Sequence, residues 1–260
     1  MSSLKTTALL VFPLFLLAGC SAFFGFNAFT SLDKPAPPKL SDYEGGSSGL
    51  ARLAADLSSP AVVAQLKADP TTTHAVEDYL DSTYGITTGP LTTPDQQNAA
   101  VLYGDLYLKT TSGDQLVNNI VASVMTSTQT GNISSLISSI IPAEVAADET
   151  KFAAMISGLL SANVAYLAFG ASIPAYGVPP GMNLGDTAQK AAVAYLMQAI
   201  VDSITPSVVG TTPAAIHEMF LLVNNDPANL ISGVSVTDPF TPLDVRLKNI
   251  FDAAGAPYPK

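Results

Sequence analysis

The chain has 260 residues, of which 21 are acidic and 11 basic, and its formal net charge is −10. Such an acidic balance argues against a basic nucleic-acid-binding surface, so we expect no nucleic-acid partner. A single cysteine excludes both an internal disulfide bond and a thiolate metal cluster.

The first predicted element is an export signal. Lys5 is followed by a largely apolar run, Ala8–Ala18, which is too short to span a bilayer because that takes about 20 apolar residues. The tetrapeptide Leu17-Ala18-Gly19-Cys20 resembles the lipobox of bacterial lipoproteins. The resemblance implies cleavage before Cys20 and lipid on its sulfur, so residues 1–19 would be a signal peptide and the membrane a partner through the anchor. An ordinary secretory signal that ends by chance in a cysteine is the alternative.

Residues 20–49 are predicted to be the lipidated cysteine and a flexible tether. Lys34–Lys39 holds three prolines and favours extended conformations, and Gly45–Gly49 is rich in glycine and serine. In Gram-negative lipoproteins an aspartate after the cysteine commonly retains the protein in the inner membrane. Ser21 stands there instead, so the resemblance implies the outer membrane, facing the periplasm, if the host is Gram-negative.

Residues 50–260 are predicted to form one all-α domain. Pairs such as Thr93-Pro94 place a capping oxygen before a proline suited to the first helical position. Apolar residues recur after these pairs at helical spacing. The predicted helices cover 50–57, 60–68, 73–84, 94–110, 113–127, 133–141, 148–171, 187–204, 213–224, 227–232 and 242–254. The only strand-like piece is 233–237.

Two short motifs bear on how these helices are arranged. Tyr103-Gly104-Asp105-Leu106-Tyr107 resembles part of a tetratricopeptide first helix, and Asn225-Asp226-Pro227-Ala228-Asn229 is similar to the turn that closes such a repeat. No full repeat aligns around either motif. An irregular helical bundle and a short α-solenoid of antiparallel helix pairs therefore both stay open.

No charged side chain lies between Lys151 and Asp186. Residues 155–171 resemble a transmembrane segment, but their serine and asparagine side chains favour a central helix buried by its neighbours. Residues 172–185 are predicted to be a proline-stiffened loop, and long ordered loops often carry function. The residues interpreted as binding a partner or ligand are Tyr176, Val178, Met182 and Leu184. The alternative is a packed connector that caps the core.

The chain contains no nucleophile elbow, no phosphate-binding Walker loop and no His-Glu-x-x-His motif. His74, Glu77 and Asp78 would share one helix face and could hold a cation, although an acidic, solvated helix start accounts for them as well. His217 and Glu218 are interpreted as a surface pair. We therefore predict no metal, no cofactor and no catalytic residue.

The expected function is non-catalytic binding of an unknown envelope protein or a small apolar ligand by a membrane-anchored lipoprotein. One alternative is an accessory component of a transport or envelope-assembly system, like lipoproteins with tetratricopeptide-like folds. The other is an enzyme whose site is built on the acidic residues.

Overall fold

A computed structural model describes residues 35–126, 140–204, 211–225 and 244–256, without the side chains of 124–126. The described part is helical and contains no strand, which confirms the predicted all-α class. After a 3-10 turn at Leu40–Asp42, its helices are α1 (Ser47–Leu57), α2 (Pro60–Ala68), α3 (Pro70–Tyr84), α4 (Pro94–Thr110), α5 (Gly113–Thr126), α6 (Ala143–Ala146), α7 (Glu149–Tyr176), α8 (Leu184–Ile204), α9 (Thr212–Asn225) and α10 (Val245–Ala254).

The helix starts follow from local capping. The Thr93 hydroxyl accepts a hydrogen bond from the Gln96 backbone N–H at 3.2 Å, and the Gln96 side-chain oxygen accepts one from the Thr93 N–H at 3.1 Å. This reciprocal pair is the capping box expected before α4. The Asp69 carboxylate accepts from the Thr72 N–H at 3.2 Å, so α3 begins at Pro70, ahead of the predicted start at residue 73.

The helices form a bundle around α4 and α7. These two helices pack along each other; α1, α2, α3 and α5 also contact α4, and α8, α9 and α10 also contact α7. In a solenoid each repeat contacts only its neighbours, so the bundle is the correct one of the two predicted arrangements. Gly104 makes the central contact possible, because a Cβ atom there would lie 2.7 Å from Cζ of Tyr166. The glycine of the tetratricopeptide-like motif thus serves packing between α4 and α7.

Within the described residues, α7 is the one helix long and apolar enough to cross a membrane, and its most apolar window has a mean hydropathy of 1.7. That window is 61% buried inside the domain. Its aromatic side chains Phe152, Tyr166 and Phe169 are wholly covered by the surrounding helices. The helix therefore supplies the centre of the hydrophobic core.

The connection after α7 is shorter than predicted. The expected loop at 172–185 reduces to residues 177–183, because α7 continues through Pro174 and α8 begins at Leu184. Proline has no N–H to donate to the carbonyl of Gly170, four residues earlier. Asn249 of α10 replaces that donor, since its side-chain amide donates to the Gly170 oxygen at 3.0 Å.

The tether predicted to reach residue 49 is also too long. The ring of Tyr43 is 1% exposed, its hydroxyl donates to Asp56 at 3.2 Å, and α1 begins at Ser47. Two glycines are required here: Gly46, just before α1, has a φ of 63°, and a Cβ at Gly49, in the first turn of α1, would lie 2.6 Å from the carbonyl carbon of Tyr43. The glycine-rich run is therefore a tight turn onto α1.

Several predictions fall outside the described residues. They are the signal peptide with its lipobox and Cys20, the helix at 227–232, the strand-like piece at 233–237 and nearly all of the helix at 133–141.

Candidate functional site

A groove of about 330 Å³ lies between α1 and α4, beside the connection from α7 to α8. Its volume is at the lower end of the range for small-molecule sites, about 300–1,000 Å³. The lining residues are Ser47, Leu50, Ala51, Ala54, Asp95, Asn98, Val101, Leu102, Met182 and Asn183. Most of them are apolar, and the polar ones carry short side chains.

The groove has a polar end and an apolar end. At the polar end, where α1 and α4 begin, the Ser47 hydroxyl donates to the Asp95 carboxylate, with oxygen–oxygen distances of 2.7 and 2.9 Å. Ala54 and Leu102 lie two helical turns further along and line the other end. In each of the two helices, the polar lining residues thus come before the apolar ones.

The connection that borders the groove is held against α4 by a buried amide. Gln97 is buried, and its side-chain amide donates to the Ser172 hydroxyl and to the Gly177 carbonyl, each at 2.8 Å. Ser172 in turn donates to the Phe169 carbonyl at 2.6 Å. These bonds tie the start of the connection to the end of α7 and to α4, and so position the segment that contains Met182.

The structure separates the four residues proposed from sequence as a binding site. Met182 lines the groove. Val178 and Leu184 are partly buried against the core and are not among the lining residues, and Tyr176 is 53% exposed at the end of α7. The sequence did not predict the lining residues of α1 and α4. The one pattern that could have indicated them is the pair of small residues, Ala51 and Ala54, beside the apolar Leu50.

A second, polar cavity of about 170 Å³ lies where α4, α5 and α8 meet. Lys190 is its centre: the ammonium group lies 2.9 Å from Asp105 and 2.6 Å from Asp186, and the Tyr166 hydroxyl donates to Asp105 at 2.7 Å. Burial lowers the pKa of Lys190, but attraction to Asp105 and hydrogen bonds to both carboxylates outweigh it and leave the pKa above its usual value. Burial and the charge of Asp105 raise the pKa of Tyr166. This network joins α4, α7 and α8.

The two histidines make pairs. His74 Nδ1 lies 2.8 Å from a carboxylate oxygen of Glu77, and His217 Nδ1 lies 2.6 Å from Glu149 at the start of α7, not from Glu218. Glu77 is only 5% exposed. Across the described residues, no group of three or more His, Cys, Asp or Glu side chains is placed to hold a metal ion.

Glu77 should make stability depend on pH. Burial raises its pKa above the usual 4.5, and hydrogen bonds from His74 and Tyr107 offset only part of the rise. A carboxyl group whose pKa is higher in the folded state than in the unfolded state stabilises the fold fully at pH values below its unfolded-state pKa. This contribution is lost as pH rises through its folded-state pKa. Glu77→Gln removes this contribution. The free energy of unfolding of the variant, minus that of the wild type, should therefore increase as pH rises from about 4 to about 8. Urea titrations at several pH values measure this difference, and parallel curves for the two proteins would contradict the assignment.

No protein-family model, curated protein or solved structure matches this chain.

Proposed function

We propose that this chain is a lipid-anchored protein of the bacterial cell envelope whose helical domain binds a small apolar ligand in the groove between α1 and α4. The groove carries the binding part of the proposal, because apolar walls with a few polar groups at one end are typical of small-molecule sites. The lipobox-like tetrapeptide ending at Cys20 supports the anchor. With Ser21 after that cysteine, the proposed location in a Gram-negative host is the outer membrane, facing the periplasm.

A non-catalytic role agrees with the groups at the polar end. The Ser47 hydroxyl donates to the Asp95 carboxylate, and the lining residues include no histidine or lysine. Serine nucleophiles use such a residue as their base. The short polar side chains of the groove therefore serve to orient a ligand.

Filling the groove tests its role in binding. Ala51 is exposed and lines the groove, so Ala51→Phe should occupy the space without disturbing the core. The measurement uses the mature chain with Cys20→Ser, which avoids competing lipid. In this protein Ala51→Phe should lower the affinity for n-octanol at least about tenfold, equivalent to ~1.4 kcal/mol. Calorimetry measures the binding.

The matched control is Ala64→Phe, because Ala64 is an exposed alanine within α2 that does not line the groove. It should bind n-octanol as the wild type does, and all three proteins should have similar melting temperatures. Unchanged affinity in Ala51→Phe, or equal losses in both variants, would count against the groove as the site. If n-octanol does not bind while a partner protein from the same envelope is lost in Ala51→Phe, the occupant is a protein and the small-ligand proposal is wrong.

The anchor has its own test. Cys20→Ala in the full precursor removes the sulfur that would carry the lipid, and two or more chains are needed for stable attachment. We expect the variant to leave the membrane fraction or to remain uncleaved. Membrane attachment of a correctly cleaved Cys20→Ala protein would rule out the lipid anchor.

A further inference from the structure

We infer that the ligand of the groove between α1 and α4 is an amphiphile with a cationic head and a short alkyl chain. The inference rests on the proposed function and names the class of ligand. The head would lie at the polar end, beside Ser47 and Asp95, and the chain would run toward Ala54 and Leu102.

The charge of the lining favours a cation. Asp95 is the single charged residue among the lining residues described, and none of them is basic. Within the described chain Asp95 takes part in no ion pair; its carboxylate accepts the Ser47 hydroxyl. A carboxylate has about four lone-pair sites, so it retains capacity to accept bonds from an ammonium group.

An anionic head would meet the opposite situation. It would lie near the Asp95 carboxylate, and two like charges a few ångströms apart repel each other. The net charge of −10 adds a field of the same sign around the domain. The amide side chains of Asn98 and Asn183, which also line the groove, can donate or accept hydrogen bonds but supply no compensating charge.

The apolar part of the groove sets the length of the chain. From Ser47 to Ala54, and equally from Asp95 to Leu102, the helices rise by about 10 Å. Leu50, Val101 and Met182 provide aliphatic surface along this distance. A short alkyl chain such as octyl therefore suits the groove.

Three probes of equal chain length test the inference: n-octylammonium, n-octanol and n-octanoate, each titrated by calorimetry into the mature Cys20→Ser chain. We expect n-octylammonium to bind at least about tenfold more tightly than n-octanoate, with n-octanol between them. In Asp95→Asn the preference for n-octylammonium over n-octanoate should fall to about threefold or less, because the nearest charge is gone and only the weaker field of the domain's net charge remains. Asp78→Asn makes the same charge change at an exposed residue of α3 outside the groove and should keep the wild-type preference.

The outcomes separate this inference from the proposed function. Equal binding of n-octanoate and n-octylammonium by the wild type, or a preference that is undiminished in Asp95→Asn, overturns the cationic head. If n-octanol still binds and Ala51→Phe still blocks it, the groove remains the site of a different ligand; if none of the three probes binds, both proposals fail. Titrations at several salt concentrations give a second test that needs no variant. A preference for n-octylammonium caused by charge must decrease as ionic strength rises, and a preference that does not change with salt contradicts the inference.

Discussion

Lys190→Met should lower the free energy of unfolding by about 2 to 4 kcal/mol, because it leaves a largely buried carboxylate without its counter-charge. The Lys190 side chain is 12% exposed and lies between Asp105 and Asp186. After the substitution Asp105 keeps only the hydrogen bond from Tyr166 within the network described above. Methionine preserves most of the volume, so the loss reports the charge and not a cavity.

Urea denaturation measures this loss, with Lys151→Met as the control. Lys151 is exposed and lies 3.5 Å from Asp148, so its removal should change stability by no more than about 0.5 kcal/mol. Adding Asp105→Asn to Lys190→Met should recover part of the lost stability, because the uncompensated charge is then removed as well. If Lys190→Met is as mild as Lys151→Met, the network does not hold the helices together.

Gly170→Ala should destabilise the domain by about 1 to 3 kcal/mol by forcing α10 away from α7. A Cβ at residue 170 would lie 2.8 Å from the backbone carbonyl carbon of Arg246 and 3.0 Å from Cγ1 of Ile250. The first obstacle is backbone and cannot rotate aside. Any movement of α10 would also lengthen the bond from Asn249 to the Gly170 carbonyl, the bond that replaces the one Pro174 cannot make.

Gly185→Ala is the matched control, because both glycines lie in helices. A Cβ at residue 185 would meet nothing closer than the Asn183 side-chain oxygen at 3.7 Å. Alanine is the better helix former, by up to about 1 kcal/mol, so this variant should be unchanged or slightly more stable. Thermal unfolding followed by circular dichroism gives both values, and a change of the same sign and size in the two variants would refute the close-packing explanation.

The groove was only partly accessible to sequence reasoning. The uncharged region after Lys151 directed attention to Met182, which does line it. Ser47 and Asp95 gave no such signal, since they are far apart in the chain and become neighbours only when α1 packs on α4. Whether two helix faces pack closely or leave a gap depends on the volumes of side chains from both, and no local pattern states which faces will meet.

The helical class and many helix ends were determined by the sequence itself. The helices at 60–68 and 94–110 agree with prediction at both ends, because their signals are local: each begins at a proline in the first helical position, and 94–110 also has a capping box between residues three positions apart. Only the tertiary structure decided where α7 ends. Its passage through Pro174 depends on a donor from Asn249, which lies far along the chain, and on a glycine that lets that donor's helix approach. In the sequence a proline predicts a helix end, because it cannot donate the backbone hydrogen bond to the carbonyl four residues earlier. The donor that compensates for this bond comes from a residue distant in sequence and reaches the carbonyl only in the folded protein.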